Sequence, residues 1–302
     1  IELGICREAP TLENAHLAKG YDAISVITTK VDGILVEKFH ELGVKMISTR
    51  TIGYDHIDLE KAKELGIRVS NITYSPNAVA DYAILLMLMC LRRALEGDRA
   101  VRSGNQIRLK EQMMVEGFSE LGDCTVGFVG FGAIAQAAAR YLKPWGCEMV
   151  YNKRHPLDAA AEGELGARYM ALDDLLSTCD VVSLHVPVTD ETRGMVDDAF
   201  LGKMKLGAVL VNTARGDIVD QNALAHALEE GKIAAAGLDV LTPEPVTTDN
   251  PLLNLSPEAS ARCVFSPHIG GVTEGMFYRA HRMVWENIAR VAAGEPLVNR
   301  VC

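Results

Sequence analysis

The stretch 125-TVGFVGFGAIAQAAARYLKPWGCEMVYNKR-154 decides how this chain is read. The apolar run 126–129 has the length and bulk of a buried strand. Gly130-Phe131-Gly132 follows at once, then an alanine-rich helical segment over 133–142. Pro144 and Gly146 stop that helix, and 148–151 resumes a strand. This is a β-α-β unit with a glycine turn, and Ala135 in the third place gives the looser G-x-G-x-x-A form of a dinucleotide-binding turn. Gly130 permits the tight turn, and Gly132 lets a pyrophosphate approach the backbone. The helix start then offers free N–H groups and a partial positive charge. A turn that is glycine-rich only for packing has the same letters; the flanking strands and helix favour the dinucleotide.

The end of the second strand refines the cofactor. NAD sites usually carry Asp or Glu there to bind the ribose 2′-hydroxyl. This chain has Tyr151-Asn152-Lys153-Arg154 instead, with no adjacent carboxylate to repel a 2′-phosphate and two cations to attract one. The expectation is NADP(H) in preference to NAD(H), with Asn152, Lys153 and Arg154 in contact with the cofactor. The alternative is a basic surface turn in an NAD enzyme that binds the ribose through Asn152 alone.

The chain's 302 residues, 48% hydrophobic and 23% charged, make an ordinary globular composition with room for two domains. A net charge of −10 excludes the basic footprint of a nucleic-acid binder. The longest apolar run, 83–91, is too short to span a bilayer, and no signal peptide is visible. Seven scattered cysteines without a C-x-x-C pair point to reduced thiols in a cytoplasm, not to disulfides or a metal site.

Before the glycine turn, strands are expected over 1–6, 23–28, 45–48 and 68–71, alternating with helices over 36–42 and 59–65. The loop 49–55 is equally a ligand-binding loop presenting backbone N–H groups and a plain strand-to-helix turn. A long, nearly all-apolar helix over 78–94 is expected to be buried between domains and between subunits. The polar segment 97–123 reads as irregular, either an arm reaching a second subunit or a surface loop. After the turn, strands over 180–186, 206–212, 234–240 and 263–266 alternate with helices, and a last helix covers 273–292. Alternation of this kind implies mostly parallel sheets and an α/β class.

Arg215, Glu244 and His268 each stand just after the C-terminal end of one of these later strands, the edge where open α/β sheets bind ligands. Hydride transfer to a ketone leaves an alkoxide that needs a proton, and a histidine near neutral pKa is its natural donor. Glu244 beside it would orient the ring and stabilise its charged form. Arg215 can grip a carboxylate through two parallel hydrogen bonds. Together they suit reduction of a 2-oxo acid, although each alone has a bland reading as a surface ion pair, a solvated turn or a helix cap. Of the other histidines, His185 is the one placed to touch the cofactor.

In order along the chain, V-G-F-V-G-F-G-A-I-A, L-H-V-P, L-V-N-T-A-R-G-D-I-V-D, A-A-G-L-D-V, P-E-P and S-P-H-I-G-G resemble the D-isomer-specific 2-hydroxyacid dehydrogenase family, over nearly its whole length. The resemblance implies Arg215 as substrate anchor, Glu244 as the histidine's partner and His268 as acid/base. It implies cofactor contacts at Ala133, Ile134, Asn152, Val186, Pro187, Thr192, Thr213, Ala214 and Asp239, and substrate-facing positions at Ile52, Gly53 and Tyr74. It implies two similar doubly wound domains, Rossmann-like and flavodoxin-like, with the active site in the cleft between them. Residues 76–269 would bind the dinucleotide, and 1–75 with 270–302 the substrate. The family's first strand and helix, ahead of the segment matching Ile1, are expected to be lacking. A homodimer through the 78–94 helix and its following arm is implied, with no nucleic acid, membrane or metal.

Within the family, M-I-S-T-R-T-I-G-Y-D-H-I-D and Y-S-P-N-A-V-A-D-Y look like the D-lactate dehydrogenase branch, which includes vancomycin-resistance-associated enzymes that reduce pyruvate with NADPH. That branch usually has an aromatic residue after the histidine. Here Ile269-Gly270-Gly271 follows, as in phosphoglycerate- and glyoxylate-reducing relatives. A missing ring widens the pocket, so a longer 2-oxo acid, branched or aromatic, is expected. The rival readings are a dinucleotide-sensing corepressor-like binding protein, a glyoxylate/hydroxypyruvate or phosphoglycerate-type dehydrogenase, and an enzyme for a phosphorylated substrate that uses Arg50 or Lys110. A formate-dehydrogenase-like enzyme would carry an amide in place of Glu244.

Overall fold

The computed structural model describes residues 2–72 and 76–302. Tyr74, expected to face substrate, lies outside the described residues. The chain divides into a first unit of Ile1–Ser75 with Val272–Cys302 and a second of Pro76–Gly271. The fold class is the α/β class expected, with parallel sheets throughout the named strands.

In the first unit, β1 (Ala23–Val26), α1 (Gly33–Glu41), β2 (Met46–Thr49), α2 (Leu59–Glu64) and β3 (Arg68–Ser70) alternate, and the strands pair in the order β1-β2-β3. Asp32 and Asp58 start the two helices by accepting from the N–H groups of Leu35 and Lys61, as N-cap carboxylates do. Leu35, Val36 and Phe39 on α1 join Ile47 and Val69 in one core. The helix Glu274–Ala292, labelled α12, forms a second with Met276, Ala280 and Val284, spaced four residues apart, against Ile72. All of β2 is buried. The chain's last residues cover the edge of β3: Val301 N–H donates to Val69 O at 2.8 Å, and Ser70 bridges Arg300 antiparallel. The strand expected over 1–6 is absent: residues 2–10 have no regular secondary structure, because no neighbour pairs with them, and Leu3 and Ile5 are exposed.

The second unit opens with three helices, α3 (Asn77–Leu91), α4 (Ala94–Arg102) and α5 (Gln106–Glu116). The segment 97–123 is therefore largely helical, not irregular. Its polar surface hides pairs at helical spacing, such as Arg102 with Asp98, and Gly104, at φ 75°, separates the two helices. Arg93, at φ 47°, ends α3 earlier than expected and is held by Glu96 and Glu116. There follow β4 (Thr125–Val129), α6 (Ala133–Leu142), β5 (Glu148–Asn152), α7 (Ala159–Leu165), β6 (Ala167–Tyr169), α8 (Leu172–Thr178) and β7 (Val181–Leu184). The unit continues with α9 (Asp198–Lys203), β8 (Ala208–Asn212), α10 (Gln221–Glu229), β9 (Ile233–Leu238), α11 (Pro257–Ala261) and β10 (Cys263–Phe265).

These strands form a seven-stranded parallel sheet in the order β10-β9-β8-β7-β4-β5-β6. The direction of winding reverses between β4 and β7, and a crevice opens at such a reversal outside the C-terminal strand ends. Successive side chains alternate between the two faces. Val126, Phe128, Val209 and Val211 face a core with α3 and α6, whereas Val129, Val182, Leu184 and Leu210 face one with α8, α9 and α10. The small residues of β9 let α3 lie close: a Cβ at Gly237 would come within 2.9 Å of Leu86 Cβ. Among the described residues, no helix is long and apolar enough to cross a membrane.

Truncating the fully buried Leu86 to alanine removes the apolar contact between α3 and the sheet. Leu86→Ala is expected to destabilise the protein by about 2–5 kcal/mol, read as a lower urea midpoint in far-ultraviolet circular dichroism.

Candidate active site

Because every strand of the second unit's sheet is parallel, all the loops after strand ends meet at one edge. The glycine turn follows β4. Gly130, at φ 87°, donates its N–H to Asn152 O at 2.9 Å, and a Cβ on it would sit 2.6 Å from His185 O. Only glycine permits this approach of the β4 and β7 loops. Gly132 caps α6 without a side-chain cap, and a Cβ there would meet nothing within 4 Å, so the backbone beside the helix start is open. Ala133 is exposed, Ile134 half-buried, and Ala135 fully buried against the sheet.

After β5, Asn152 and Lys153 are half-buried and Arg154 is exposed. Asn152 Nδ2 donates to Met170 O at 2.9 Å. The loop is shaped from beneath by Tyr151, which stacks on Phe131 at 4.2 Å. Its hydroxyl donates to Glu162 and accepts from Leu157 N–H. Arg154 forms an ion pair at 3.0 Å with Glu191, from the loop after β7. The absence of a carboxylate in the sequence around Asn152 therefore does not hold in space.

After β7, the His185 ring meets the Ser183 hydroxyl at 2.9 Å and lies 5.7 Å from the Phe128 ring. Burial lowers its pKa to about 4. Val186 is half-buried and Pro187 exposed. Thr192 ties this loop together, its hydroxyl donating to Pro187 O at 2.5 Å and accepting from Thr189 N–H at 2.8 Å.

Beyond β8, β9 and β10, one set of hydrogen bonds joins three turns. Buried Asn212 accepts from Ala214 N–H at 2.9 Å and donates to Arg215 O at 2.8 Å, shaping the turn that carries Arg215. Asp239 N–H donates to Asn212 O, and His268 N–H to Asp239 O at 2.8 Å. The buried Asp239 carboxylate accepts from the Ser266 hydroxyl and from the N–H groups of Ile269 and Gly270, at 2.6, 2.9 and 2.8 Å. These bonds hold His268 at φ 56°, a left-handed conformation that costs a non-glycine residue about 1–2 kcal/mol.

His268 Nδ1 lies 2.8 Å from Glu244 Oε2. An ionised carboxylate only accepts, so the proton of this bond sits on Nδ1. The two side chains are 29% and 42% exposed, which leaves both within reach of a ligand. Glu244 stands on a loop with cis bonds before Pro243 and Pro245, anchored where Gln221 binds the Thr242 backbone through both its amide atoms. Half-buried Arg215 follows β8, two strands from His268, or about 10 Å in sheet spacing. The structure thus brings Glu244 and His268 into contact and sets Arg215 on the same edge. Thr213 is buried, its hydroxyl without a hydrogen-bond partner, and Ala214 is half-buried. The open backbone at Gly132, the glycine-only approach at Gly130 and this unpaired hydroxyl fit a bound dinucleotide.

In the first unit, the loop after β2 is fixed through its carbonyls. Ile52 O accepts from Asn71 Nδ2 at 2.7 Å, and Gly53 O from the Thr51 hydroxyl at 2.6 Å.

Residues 84–270 match the family model described as D-isomer specific 2-hydroxyacid dehydrogenase, NAD binding domain. The chain belongs to the D-isomer specific 2-hydroxyacid dehydrogenase family. It is 37% identical to a glyoxylate reductase of Korarchaeum cryptofilum, over 95% of this chain and 85% of that one. It is 41% identical to a D-specific alpha-keto acid dehydrogenase of Enterococcus faecalis, over 78% and 70%. Among solved structures, the D-lactate dehydrogenase of Escherichia coli superposes with a TM-score of 0.82 at 30% identity, covering 97% of this chain and 90% of that one. This 2-hydroxyacid dehydrogenase therefore works with a nicotinamide dinucleotide between 2-oxo and D-2-hydroxy acids.

Sequence reading did not single out Asn212, Ser266, Gln221 or Glu191. A buried asparagine at a strand end was the one readable signal; the other partners are set by tertiary proximity.

The lowered pKa of His185 has a measurable sign. An unfolded histidine takes up its proton near pH 6.5, whereas the folded one stays neutral to about 4. The stability it contributes is therefore present above about pH 6.5 and lost as pH falls toward 4. An NMR titration is expected to show the His185 imidazole still neutral at pH 5, and the His185→Gln variant to lack that signal and to lose less stability over that window.

Proposed function

We propose that the second unit binds the dinucleotide and the first the substrate, and that His268 is the proton donor in reduction of a 2-oxo acid to its D-2-hydroxy acid. The observation that carries this reading is the His268–Glu244 contact at 2.8 Å, on the sheet edge that also bears Arg215. When bound, the nicotinamide supplies the hydride. Arg215 grips the substrate carboxylate and polarises the neighbouring carbonyl. His268 gives a proton to the carbonyl oxygen, and Glu244 keeps the ring oriented and stabilises its charged form. Ile52 and Gly53, whose carbonyls are engaged within their own unit, present backbone N–H groups to the acid; Tyr74 is a further substrate-facing position by family resemblance.

Gly130, Gly132, Ala133 and Ile134 cradle the pyrophosphate at the start of α6. His185, Val186, Pro187 and Thr192 line one side, with Thr213, Ala214 and Asp239 toward the chemistry. A neutral His185 offers a dipole there instead of a charge. Asn152, Lys153 and Arg154 take the adenosine ribose, and their cations support a preference for NADP(H). The half-exposed Ile269 and the two glycines after it, in place of an aromatic ring, support a longer 2-oxo acid over pyruvate. Exposed apolar side chains along α4 and α5, among them Ile107, Met114 and Val115, support a homodimer. Cysteines buried as thiols support a cytoplasmic setting.

Variants separate these roles. His268→Ala is expected to lower kcat by about 10²–10⁴-fold with dinucleotide affinity kept. Arg215→Ala is expected to lower kcat/KM by about 10–100-fold, mostly through KM for the oxo acid. Unchanged turnover in either variant would remove that residue from its role.

A panel of pyruvate, glyoxylate, hydroxypyruvate, 2-oxoisocaproate and phenylpyruvate, each with NADPH and NADH, tests specificity. Higher kcat/KM for the last two acids and for NADPH is expected. Glyoxylate or pyruvate in front would refute the wider pocket. Dinucleotide binding without turnover of any acid would favour a sensor.

A further inference from the structure

Arg154 and Glu191 stand on loops that follow β5 and β7, the two strands flanking β4. Their 3.0 Å contact thus spans the end of the strand that carries the glycine turn. We propose that Glu191 sets the balance between NADPH and NADH by competing with a 2′-phosphate for Arg154. This rests on the cofactor reading above.

Glu191 is held ready for that role. The Thr189 hydroxyl donates to the same carboxylate oxygen, Oε2, at 2.8 Å. Thr189 itself is fixed by Thr192, through Thr189 N–H to Thr192 Oγ1 and Thr192 N–H to Thr189 O. The Thr189 hydroxyl first, and then the Arg154 guanidinium, keep the Glu191 carboxyl below the usual carboxylate range, so it is ionised at neutral pH. Both side chains of the pair are more than 70% exposed, and exposed ion pairs contribute little to stability. Arg154 therefore exchanges partners cheaply. A ribose 2′-hydroxyl leaves the pair intact. A 2′-phosphate takes the guanidinium, for which it offers more charge and a fork-shaped acceptor, and must then sit beside an anion that has lost its partner. Glu191 thus penalises the phosphorylated cofactor alone. It reaches Arg154 from 37 residues away and acts on the phosphate alone, unlike a carboxylate at the end of β5, which binds the ribose 2′-hydroxyl itself.

The test is calorimetric binding of NADPH, NADH, 2′,5′-ADP and 5′-ADP to the whole protein, in Glu191→Gln, Arg154→Gln and the double variant. Glu191→Gln is expected to tighten NADPH and 2′,5′-ADP by about three- to tenfold and to leave NADH and 5′-ADP within about twofold. The gain should shrink at high salt and vanish on the Arg154→Gln background. A parallel change for ligands with and without the 2′-phosphate, or no change, would overturn the role of Glu191. A wild type that prefers NADH but still gains in Glu191→Gln would refute the NADP(H) preference and leave Glu191 in its role. A protein that binds none of the four ligands would end both readings.

Discussion

The chain of backbone bonds from Asn212 through Asp239 to His268 is the constraint on which the site depends. It continues the ladder of three parallel strands one step past their ends. Inside the sheet such bonds are generic. Beyond it they join a turn bearing a guanidinium to a turn bearing an imidazole. The buried Asp239 carboxylate, bound by three donors across both oxygens, makes the second turn a single shape. Hydrogen bonds to a buried charge are among the stronger ones, and leaving one unmade is expensive. The left-handed His268 is tolerated because these bonds over-determine it.

Glu244 arrives by a different route. Its loop has no ladder to lean on and is tied down by the Gln221 amide and by Asn250, whose Nδ2 donates to Gln221 Oε1 and to Thr242 O. Strand geometry aims one partner of the histidine–carboxylate pair and side-chain hydrogen bonding aims the other. Gly216 adds a steric condition: a Cβ there would lie 2.3 Å from the Leu241 carbonyl carbon, so the Arg215 turn and the Glu244 loop fit together only with glycine between them.

The parts of this molecule legible in its sequence are those whose physics is local. A glycine turn between an apolar run and an alanine-rich helix announces a β-α-β unit, and strand ends can be located closely enough to put Arg215, Glu244 and His268 on one edge. The helices α4 and α5 were illegible because their apolar residues form no buried stripe, Met113 alone being buried, and their order rests on polar pairs, which look like a solvated loop when read linearly. The strand expected at 1–6 shows the opposite error: strand-like composition without a neighbour to pair with remains irregular. Asp239, readable as a cofactor contact from the family resemblance, also shapes the turn after β10 through both carboxylate oxygens. That role depends on strands meeting, and no spacing in the chain encodes it.

The stacked pair of Phe131 and Tyr151 ties the glycine turn to the following strand from within the core, while the Tyr151 hydroxyl closes the loop above by bonding Leu157 and Glu162. The loop is thus shaped by its two ends and its floor, not by residues 153–156 at its rim. Substitutions at the rim can therefore change the side chains that face solvent there while the stacked floor stays unaltered. A rim supported in this way is mutationally decoupled from the core: its side chains can be exchanged without loosening the aromatic floor that shapes the loop.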